Sequence, residues 1–327
     1  MGETQSAKIE ISRTKGDFFM KQQYFPYAFF EGKVVKTEDA KISIMTNALQ
    51  YGTGVFAGIR GYYNPKGFIN VFRIEDHFER FLQSLQILGV TTPYTKEKLV
   101  KTTIELLKKN KPKTDMYIRP FTYAGSINLS PNLQRDNSFD VAIYMLPLGE
   151  YLPVDKGISA MVSSWRRISD NAIPSRAKIS GSYINSALAR QQATKLGFDE
   201  AILLTEDGHV AEGSAENLFI VRNETLITAD SSDDVLEGIT RRTILKFAKD
   251  LGIPTEVRRI DRSELYIAEE AFFSGTGVQI AWISQIDSRV VGDGKRGKIT
   301  QKISQLFFST VRGNERKYKT WCTQITI

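Results

Sequence analysis

Short apolar stretches that recur through the second half of the chain constrain its fold most. They lie between residues 158 and 284 and are separated by turns, whereas helical patterns occupy 183–196, 240–251 and 299–311. The stretches are ISAMVSS, AILLT, NLFIVRN, TLIT, TEVRRI, AFFSG and QIAWIS. Many short strands with turns between them predict a curved, barrel-like sheet. Gly197 and Gly252 are placed to end the first two helices.

The first half of the chain has a different pattern, in which strands and helices are segregated. YAFFEGKVV (27–35) predicts a hairpin with its turn at Glu31 and Gly32. One amphipathic helix is predicted from Ile74 to Leu88, and Thr95 is placed to cap a second. Strands are predicted at 116–123 and 140–145. This layout is typical of an α+β protein.

A break in the pattern predicts the domain boundary. Prolines and glycines interrupt LPLGEYLPVDKG (146–157). We therefore expect an N-terminal extension at 1–23, a small α/β domain at 24–147, a linker at 148–157 and a large domain at 158–327.

Composition excludes several classes of protein. The net charge of +7 suggests nucleic-acid binding as one class of function to consider. However, most of the excess lies in Lys96–Lys113 and Lys295–Lys319, where basic and apolar residues alternate as on solvated helix faces, so no nucleic-acid partner is expected. The single cysteine, Cys322, excludes a disulfide framework, and two histidines leave little room for a His-ligated metal site or a Ser-His-Asp triad. Because no apolar run has transmembrane length, a soluble, cytoplasmic protein with no membrane partner is expected.

A loop–lysine–helix segment at 165–189 is the first candidate for chemistry. Lys178 lies in its short polar loop, between Pro174 and Gly181, and good helix formers follow. A lysine that forms a Schiff base must be held in place, partly desolvated and close to groups that tune its basicity. Most lysines are solvated surface charges, so the interpretation depends on partners elsewhere in the chain.

Two small-residue segments predict a site for an anionic, phosphorylated ligand. Gly238 and Ile239 precede the helical pattern, with Thr240 as its predicted N-cap, and their amides would face the positive end of the helix dipole. The turn Ser274–Gly277 offers further amides. The alternatives are an ordinary capped helix and an ordinary loop. GTGVFAG (52–58) lacks the GxGxxG spacing, and neither a Walker motif nor a GxSxG elbow occurs.

Two charged residues lie in apolar surroundings. Glu212 stands between a turn and an apolar strand, where a carboxylate requires a cation. That cation is either a protonated pyridine nitrogen or an arginine such as Arg176. Arg119, between Ile118 and Pro120, either binds a carboxylate of a ligand or forms a structural ion pair.

Six segments together resemble the fold type IV pyridoxal 5′-phosphate (PLP) enzymes, specifically the branched-chain amino acid aminotransferases. They are YGTGVFAGIR (51–60), YIRP (117–120), IPSRAKISGSY (173–183), EGSAENLF (212–219), EGITR (237–241) and SGTG (274–277). The resemblance extends from about Tyr27 to Trp321. It implies an α+β fold in which a small α/β domain joins a larger domain with a curved, barrel-like sheet.

The resemblance implies PLP as cofactor and a role for each cofactor-binding residue. Lys178 would form the Schiff base and carry the proton between the substrate Cα and C4′ of the cofactor. Glu212 would keep the pyridine nitrogen protonated, and Tyr183 would donate a hydrogen bond to the phenolate oxygen. The phosphate would be bound by Arg80, Gly238, Ile239, Thr240 and Thr276.

The resemblance also implies the substrate-binding residues. Tyr117, Thr276 and Gly277 would bind the carboxylate at Cα, and Arg119 the distal carboxylate of glutamate or 2-oxoglutarate. The side-chain pocket would be formed by Tyr51, Phe56, Gly58, Arg60 and Tyr151. A second subunit would complete the pocket, so a homodimer or higher homo-oligomer is implied. Departures from the usual family sequence lie at Ala57, at Leu148 and in the loop 125–131, all expected around this pocket.

The predicted function is PLP-dependent transfer of the amino group from leucine, isoleucine or valine to 2-oxoglutarate. A D-amino acid or (R)-amine transaminase is the nearest alternative, suggested by the 125–131 loop. A third alternative in the same fold is a lyase that acts on aminodeoxychorismate. The apolar pocket and the YIRP segment argue against it. The basic charge leaves a non-enzymatic binding module as a more distant alternative.

Overall fold

The structure, a computed structural model, describes residues 23–127, 129–133, 139–149 and 157–327. The α-helices are α1 (Asn47–Tyr51), α2 (Ile74–Ile87), α3 (Lys96–Asn110), α4 (Tyr183–Lys195), α5 (Ile239–Asp250) and α6 (Lys298–Val311). The first strands are β1 (Tyr27–Phe30), β2 (Lys33–Lys36), β3 (Gly54–Phe56), β4 (Ile59–Asn64), β5 (Phe68–Phe72), β6 (Met116–Tyr123) and β7 (Asp140–Pro147). The others are β8 (Ile158–Arg166), β9 (Glu200–Leu204), β10 (Val210–Gly213), β11 (Asn217–Arg222), β12 (Thr225–Thr228), β13 (Thr255–Val257), β14 (Glu270–Gly275), β15 (Gln279–Ile286), β16 (Arg289–Val290) and β17 (Cys322–Thr326). Short 3₁₀ helices lie at Thr37–Asp39, Ser180–Ser182, Arg262–Ile267 and Arg316–Trp321.

The first sheet has the order β17-β5-β4-β6-β7-β1-β2, with β3 paired to β6. The predicted β1–β2 hairpin is confirmed, with Glu31 and Gly32 both left-handed at its turn. Helices α2 and α3 bury their apolar faces on this sheet, as their periodicity predicts. The Thr95 side chain accepts a hydrogen bond from the Lys98 amide and caps α3.

The second sheet has the order β10-β9-β8-β15-β14-β11-β12-β13, with β16 paired to β15. This long, curved sheet of short strands confirms the fold predicted for the second half of the chain. Gly197 and Gly252 follow α4 and α5 with left-handed φ angles of 84° and 68°, as predicted. No helix among the described residues combines the length and the apolarity needed to span a bilayer.

Several local predictions differ from the structure. Glu212 lies within β10 rather than between a turn and a strand. The strand predicted over TEVRRI stops at Val257. Strand β17, which sequence reasoning did not assign, returns to the first sheet and pairs antiparallel with β5. Residues 1–22 and 150–156 lie outside the described residues, and the domain division stays a prediction.

The segment Gly52–Phe56 joins the two sheets at the lysine loop. Val55 forms a β-bridge with Ile179, the Phe56 amide donates to the Lys178 carbonyl (3.1 Å), and the Gly181 amide donates to the Gly52 carbonyl (3.1 Å). Gly52 has φ 67°, and a Cβ there would lie 2.8 Å from Gly181 Cα, so only glycine fits this approach. The lysine loop is therefore held by backbone contacts with the first half of the chain.

Candidate active site

One pocket of about 470 Å³ opens between the two sheets. It brings together residues that are far apart in the sequence but were predicted to share a site. These are Phe56, Gly58, Arg80, Tyr117, Arg119, Lys178, Tyr183, Glu212, Gly238, Ile239, Thr240, Thr276 and Gly277. Among the described residues, no cluster of three or more His, Cys, Asp or Glu side chains could hold a metal ion.

Lys178 lies in this pocket with its amine in short hydrogen-bond contact with the Tyr183 hydroxyl. Its ammonium position is 5.0 Å from the ring centroids of both Phe56 and Tyr183. Burial lowers the pKa of Lys178 to about 7, and the positive charges of Arg80 and Arg119 act in the same direction. A substantial fraction of the amine is therefore neutral near pH 7, which is the nucleophilic form.

Ser84 links this lysine to α2. Its Oγ accepts a hydrogen bond from the Lys178 amide (3.2 Å) and donates to the Arg80 carbonyl (2.8 Å). Ser84 is completely buried, so the contact is shielded from water. Sequence reasoning missed Ser84, because a serine on an amphipathic helix gives no sign that it bonds a distant loop.

Tyr183 is the first residue of α4, directly after the lysine loop. Its ring packs edge-on against Phe56 with centroids 4.7 Å apart. Burial, followed by the negative charge of Glu212, raises the pKa of Tyr183 well above its ordinary value. The phenol thus keeps its proton at neutral pH and can donate a hydrogen bond to an anionic oxygen.

The N-terminus of α5 forms another wall of the pocket. Gly238, not Thr240, is the N-cap, and the helix begins at Ile239. The prediction for Thr240 was wrong because Gly238 already has the extended backbone of a cap, which places Thr240 inside the first turn. A Cβ on Gly238 would lie 2.1 Å from Asn217 Oδ1, so a glycine is required there. Arg80 Nη1 donates to the Glu237 carbonyl (3.1 Å), which places a cation beside the free amides of the helix start.

Glu212 is a buried carboxylate on β10 with one ion-pair partner and two hydrogen-bond donors. Its Oε1 lies 3.0 Å from Arg167 Nε, and its Oε2 accepts hydrogen bonds from Asn217 Nδ2 (3.0 Å) and the Leu236 amide (3.1 Å). Burial raises the pKa of Glu212, and Arg167 opposes that shift. The arginine considered from the sequence, Arg176, was the wrong partner.

Arg176 instead pairs with Asp170 and Glu237, at 3.7 and 3.3 Å. Arg167 was overlooked because it is the second of two consecutive arginines after an apolar strand, and sequence alone does not tell which of them turns inward. Asn217, the first residue of the predicted strand NLFIVRN, begins β11.

Arg119 lies across the pocket on β6, opposite Tyr144 of β7. Its guanidinium carbon is 4.6 Å from the Phe56 ring centroid and 5.0 Å from that of Tyr117, and Nη2 donates to the Tyr117 hydroxyl (3.2 Å). Arg119 forms no ion pair within the described part of the chain, and its Nε is buried without a hydrogen-bond partner. These contacts disfavour the structural ion pair and leave a cation ready for a ligand carboxylate.

Three predicted pocket residues are not seen in its wall. Tyr51 lies on α1 outside the pocket lining and is 40% exposed. Arg60 is buried beneath the pocket, where it donates to the carbonyls of Gly277 (2.7 Å), Leu148 (3.0 Å) and Gly149. It therefore fixes the 275–278 turn and the start of the linker. Tyr151 lies outside the described residues.

The structure places the three departures from the usual family sequence in different surroundings. Leu148 lines the pocket, as expected. Ala57 instead packs in the core of the first sheet with 1% of its surface exposed. Ala57 and Gly58 lie between β3 and β4, where Phe56 and Gly58 line the pocket and Ala57 does not. The described residues of the 125–131 loop do not line it.

Comparison with known proteins agrees with this arrangement. Residues 54–286 match the family model for amino-transferase class IV. A probable branched-chain-amino-acid aminotransferase of Aquifex aeolicus is 45% identical over 91% of this chain and 96% of its own length. The crystal structure of a Thermoproteus uzoniensis branched-chain aminotransferase with norvaline is 44% identical, with a TM-score of 0.88 over 92% of this chain and 99% of that one. The branched-chain amino acid aminotransferase from Thermobaculum terrenum in its PLP-form is 34% identical, with a TM-score of 0.89 over 94% of this chain and 100% of that one. The chain therefore belongs to the class IV aminotransferases, among the branched-chain amino acid aminotransferases of that family.

Proposed function

We propose that this protein is a PLP-dependent aminotransferase that moves the amino group of leucine, isoleucine or valine to 2-oxoglutarate. The products are the branched-chain 2-oxo acids and glutamate. The observation that carries the proposal is the buried Lys178 amine, which faces Tyr183 in one pocket with Glu212 and the start of α5. We also place the protein in the cytoplasm, in keeping with its single cysteine.

The residues of the pocket fit each functional group of PLP. The cofactor has an aldehyde, a phenolate oxygen, a ring nitrogen and a phosphate, and the pocket offers an amine, a phenol, a carboxylate and a cationic helix N-terminus. Ser274 Oγ, which lies in the pocket wall beside Thr276, is buried and has no hydrogen-bond partner, as expected of a group that awaits a ligand. Lys178, Tyr183, Glu212 and Arg80 would hold the cofactor, together with Gly238, Ile239, Thr240 and Thr276.

Bound there, PLP supplies the carbonyl carbon that combines with amines and a ring that withdraws electrons from the substrate Cα. The chain supplies the proton transfers and the electrostatics. Lys178 Nζ would take the proton from the substrate Cα and deliver it to C4′ of the cofactor. Its lowered pKa, about 7, suits an acid–base group at neutral pH. Glu212 would hold a proton on the ring nitrogen, and the Tyr183 hydroxyl would donate to the phenolate oxygen.

One pocket has to accept an apolar side chain and a carboxylate in turn. Phe56, Leu146 and Leu148 provide apolar surface for the branched side chains. The guanidinium of Arg119 lies against the aromatic rings of Phe56 and Tyr117, which carry no negative charge. Its charge is therefore available to a distal carboxylate. We infer that Arg119 binds the distal carboxylate of glutamate and 2-oxoglutarate.

An amino-group transfer assay tests this function. The protein, supplied with PLP, is incubated with 2-oxoglutarate and each of leucine, isoleucine and valine, and glutamate is measured. We expect glutamate from all three donors. Absence of glutamate with every one of them would overturn the substrate assignment. Faster turnover of (R)-1-phenylethylamine or D-leucine than of leucine would instead identify the (R)-amine or D-amino acid transaminase.

The same proposal includes a homodimer. Ile44, Met45 and Leu49 are large apolar side chains with 84%, 53% and 63% of their surface exposed, just ahead of the pocket strand β3. Leu129 (85% exposed) lies in the neighbouring loop, which is tied to this segment by the hydrogen bond from Asn47 Nδ2 to the Ser130 carbonyl (2.9 Å). An exposed apolar surface of this kind, on the segment that leads into β3, supports an interface with a second copy of the chain.

The double variant Ile44→Asp/Leu49→Asp is expected to be monomeric in sedimentation velocity. In a dimer, each subunit would have to bury two carboxylates in the interface without a compensating cation. Its transamination rate is expected to fall with dimer content if the partner completes the pocket. Ile267→Asp is the matched control, since Ile267 is equally exposed (63%) but lies in the 3₁₀ helix at 262–267. A wild-type protein that sediments as a monomer would contradict the dimer.

A further inference from the structure

Arg167 has a position that the proposed function does not use. It directly follows β8, its amide donates to the Leu204 carbonyl (2.8 Å), and its side chain is 10% exposed. Nε lies 3.0 Å from Glu212 Oε1 and 3.1 Å from the Asp234 carbonyl, to which it donates. The guanidinium is therefore fixed on one oxygen of Glu212 by contacts from two other segments.

The second oxygen of Glu212 faces donors only. Asn217 Nδ2 and the Leu236 amide both donate to Oε2, and Asn217 Nδ2 also donates to the Leu236 carbonyl (2.9 Å). A protonated carboxyl would place its own O–H against one of these donors or against Arg167. The geometry around Glu212 therefore favours the ionised carboxylate over the acid.

This preference decides where a shared proton would lie. Between Glu212 and a pyridine nitrogen, the proton lies either on the nitrogen, with a carboxylate beside Arg167, or on the carboxyl, with a neutral ring. The first arrangement gains the attraction between Arg167 and the carboxylate, whereas the second loses it. A proton on the ring nitrogen strengthens the electron withdrawal on which the chemistry depends.

We propose that Arg167 is a positioning residue that keeps the ring nitrogen of bound PLP protonated by holding Glu212 as a carboxylate. This inference rests on the proposed function. The other charged or titratable groups that interact electrostatically with Glu212 are the cations Lys178, Arg241 and Arg80, the carboxyl of Glu216 and the phenol of Tyr183. Arg241 donates to the Ala229 carbonyl (2.8 Å), and Lys178 is in contact with Tyr183, so Arg167 is the cation in direct contact with the carboxylate.

The ¹⁵N chemical shift of the cofactor tests the proposal without relying on turnover. Wild type and Arg167→Gln are loaded with PLP that carries ¹⁵N in the ring, and the shift is followed from pH 6 to pH 9. We expect the wild-type nitrogen to remain protonated throughout. In Arg167→Gln the proton is expected to move from the ring nitrogen to the Glu212 carboxyl at every pH in this range, because loss of the neighbouring cation lowers the ratio of protonated to neutral ring by about tenfold or more.

Two further variants separate charge from folding. Arg166→Gln removes the same charge from the adjacent, exposed arginine and should leave the ¹⁵N shift as in the wild type. Arg167→Lys keeps a cation at the site and should keep the ring protonated; it decides the matter if Arg167→Gln does not fold. A ring that stays protonated in Arg167→Gln, or loses its proton in Arg167→Lys, overturns the inference. A wild-type protein that binds no PLP would instead refute the proposed function.

Discussion

Lys178→Ala is expected to lower the turnover rate by at least about 10²–10⁴-fold, the contribution of a positioned acid–base group, and to remove the covalent bond to PLP. The amine lies in the pocket beside Tyr183, with its peptide held by Ser84 and Phe56, and alanine removes the amine without disturbing those backbone contacts. Borohydride reduction of the PLP-loaded protein, followed by peptide mass spectrometry, should show the pyridoxyl group on Lys178 in the wild type. The variant should carry none.

The pH dependence of PLP capture gives a second view of the same residue. The pKa of Lys178 is lowered to about 7, chiefly by burial. Only the neutral amine attacks the aldehyde, so the capture rate in the PLP-free protein should rise as the pH increases through about 7 and level off above it. A solvated lysine would continue to gain rate towards a pKa of about 10.4.

Lys195→Ala is the control, because Lys195 is exposed on the last turn of α4 and contacts Gln191 rather than the pocket. It should capture PLP and turn over as the wild type does. Labelling of another lysine in the wild type, or normal turnover of Lys178→Ala, would be incompatible with the proposed site.

Much of the fold was predictable because local patterns and burial agree. The apolar faces of α2 and α3 have helical spacing and cover one sheet, and Gly197 and Gly252 end the helices where a left-handed residue is needed. Strand β17 was not predictable in this way. CTQIT has few apolar residues, and its place beside β5 depends on the Trp321 ring, which packs edge-on against Phe72, and on antiparallel pairing over a separation of some 250 residues.

The site shows the same division between local and long-range information. Lys178, Glu212 and Arg119 were identifiable because a charged residue in constrained or apolar surroundings implies a partner. Which partner it has depends on tertiary contacts, and for that reason Arg176 was named where Arg167 is found. Arg60 illustrates the converse: a charged residue next to a pocket strand was assigned to substrate, but it binds three carbonyl groups beneath the pocket.

Glu212→Gln is expected to keep PLP binding and lose most turnover. The carboxylate, as an opposite charge, raises the pKa of a neighbouring ring nitrogen by about one to three units, so its loss reduces the protonated ring about 10- to 1,000-fold. A glutamine has one acceptor oxygen and one NH₂ group, whereas Asn217 and the Leu236 amide donate to this position and the Arg167 cation lies beside it. At least one donor would then face another donor, so a moderate loss of thermal stability should accompany the loss of activity.

Glu216→Gln tests whether the loss of turnover is specific to Glu212 or follows from the loss of any buried acidic side chain in the pocket. Glu216 also lines the pocket wall, but burial and the nearby Glu200 raise its pKa, so the change to glutamine removes less charge at neutral pH. We expect a much smaller fall in kcat for Glu216→Gln than for Glu212→Gln, with stopped-flow measurement of the half-reaction with leucine as the readout. Equal rates for the two variants would assign Glu212 a structural role. A group that holds the ring proton must affect the step in which Cα loses its proton. A group that only supports the pocket need not affect that step.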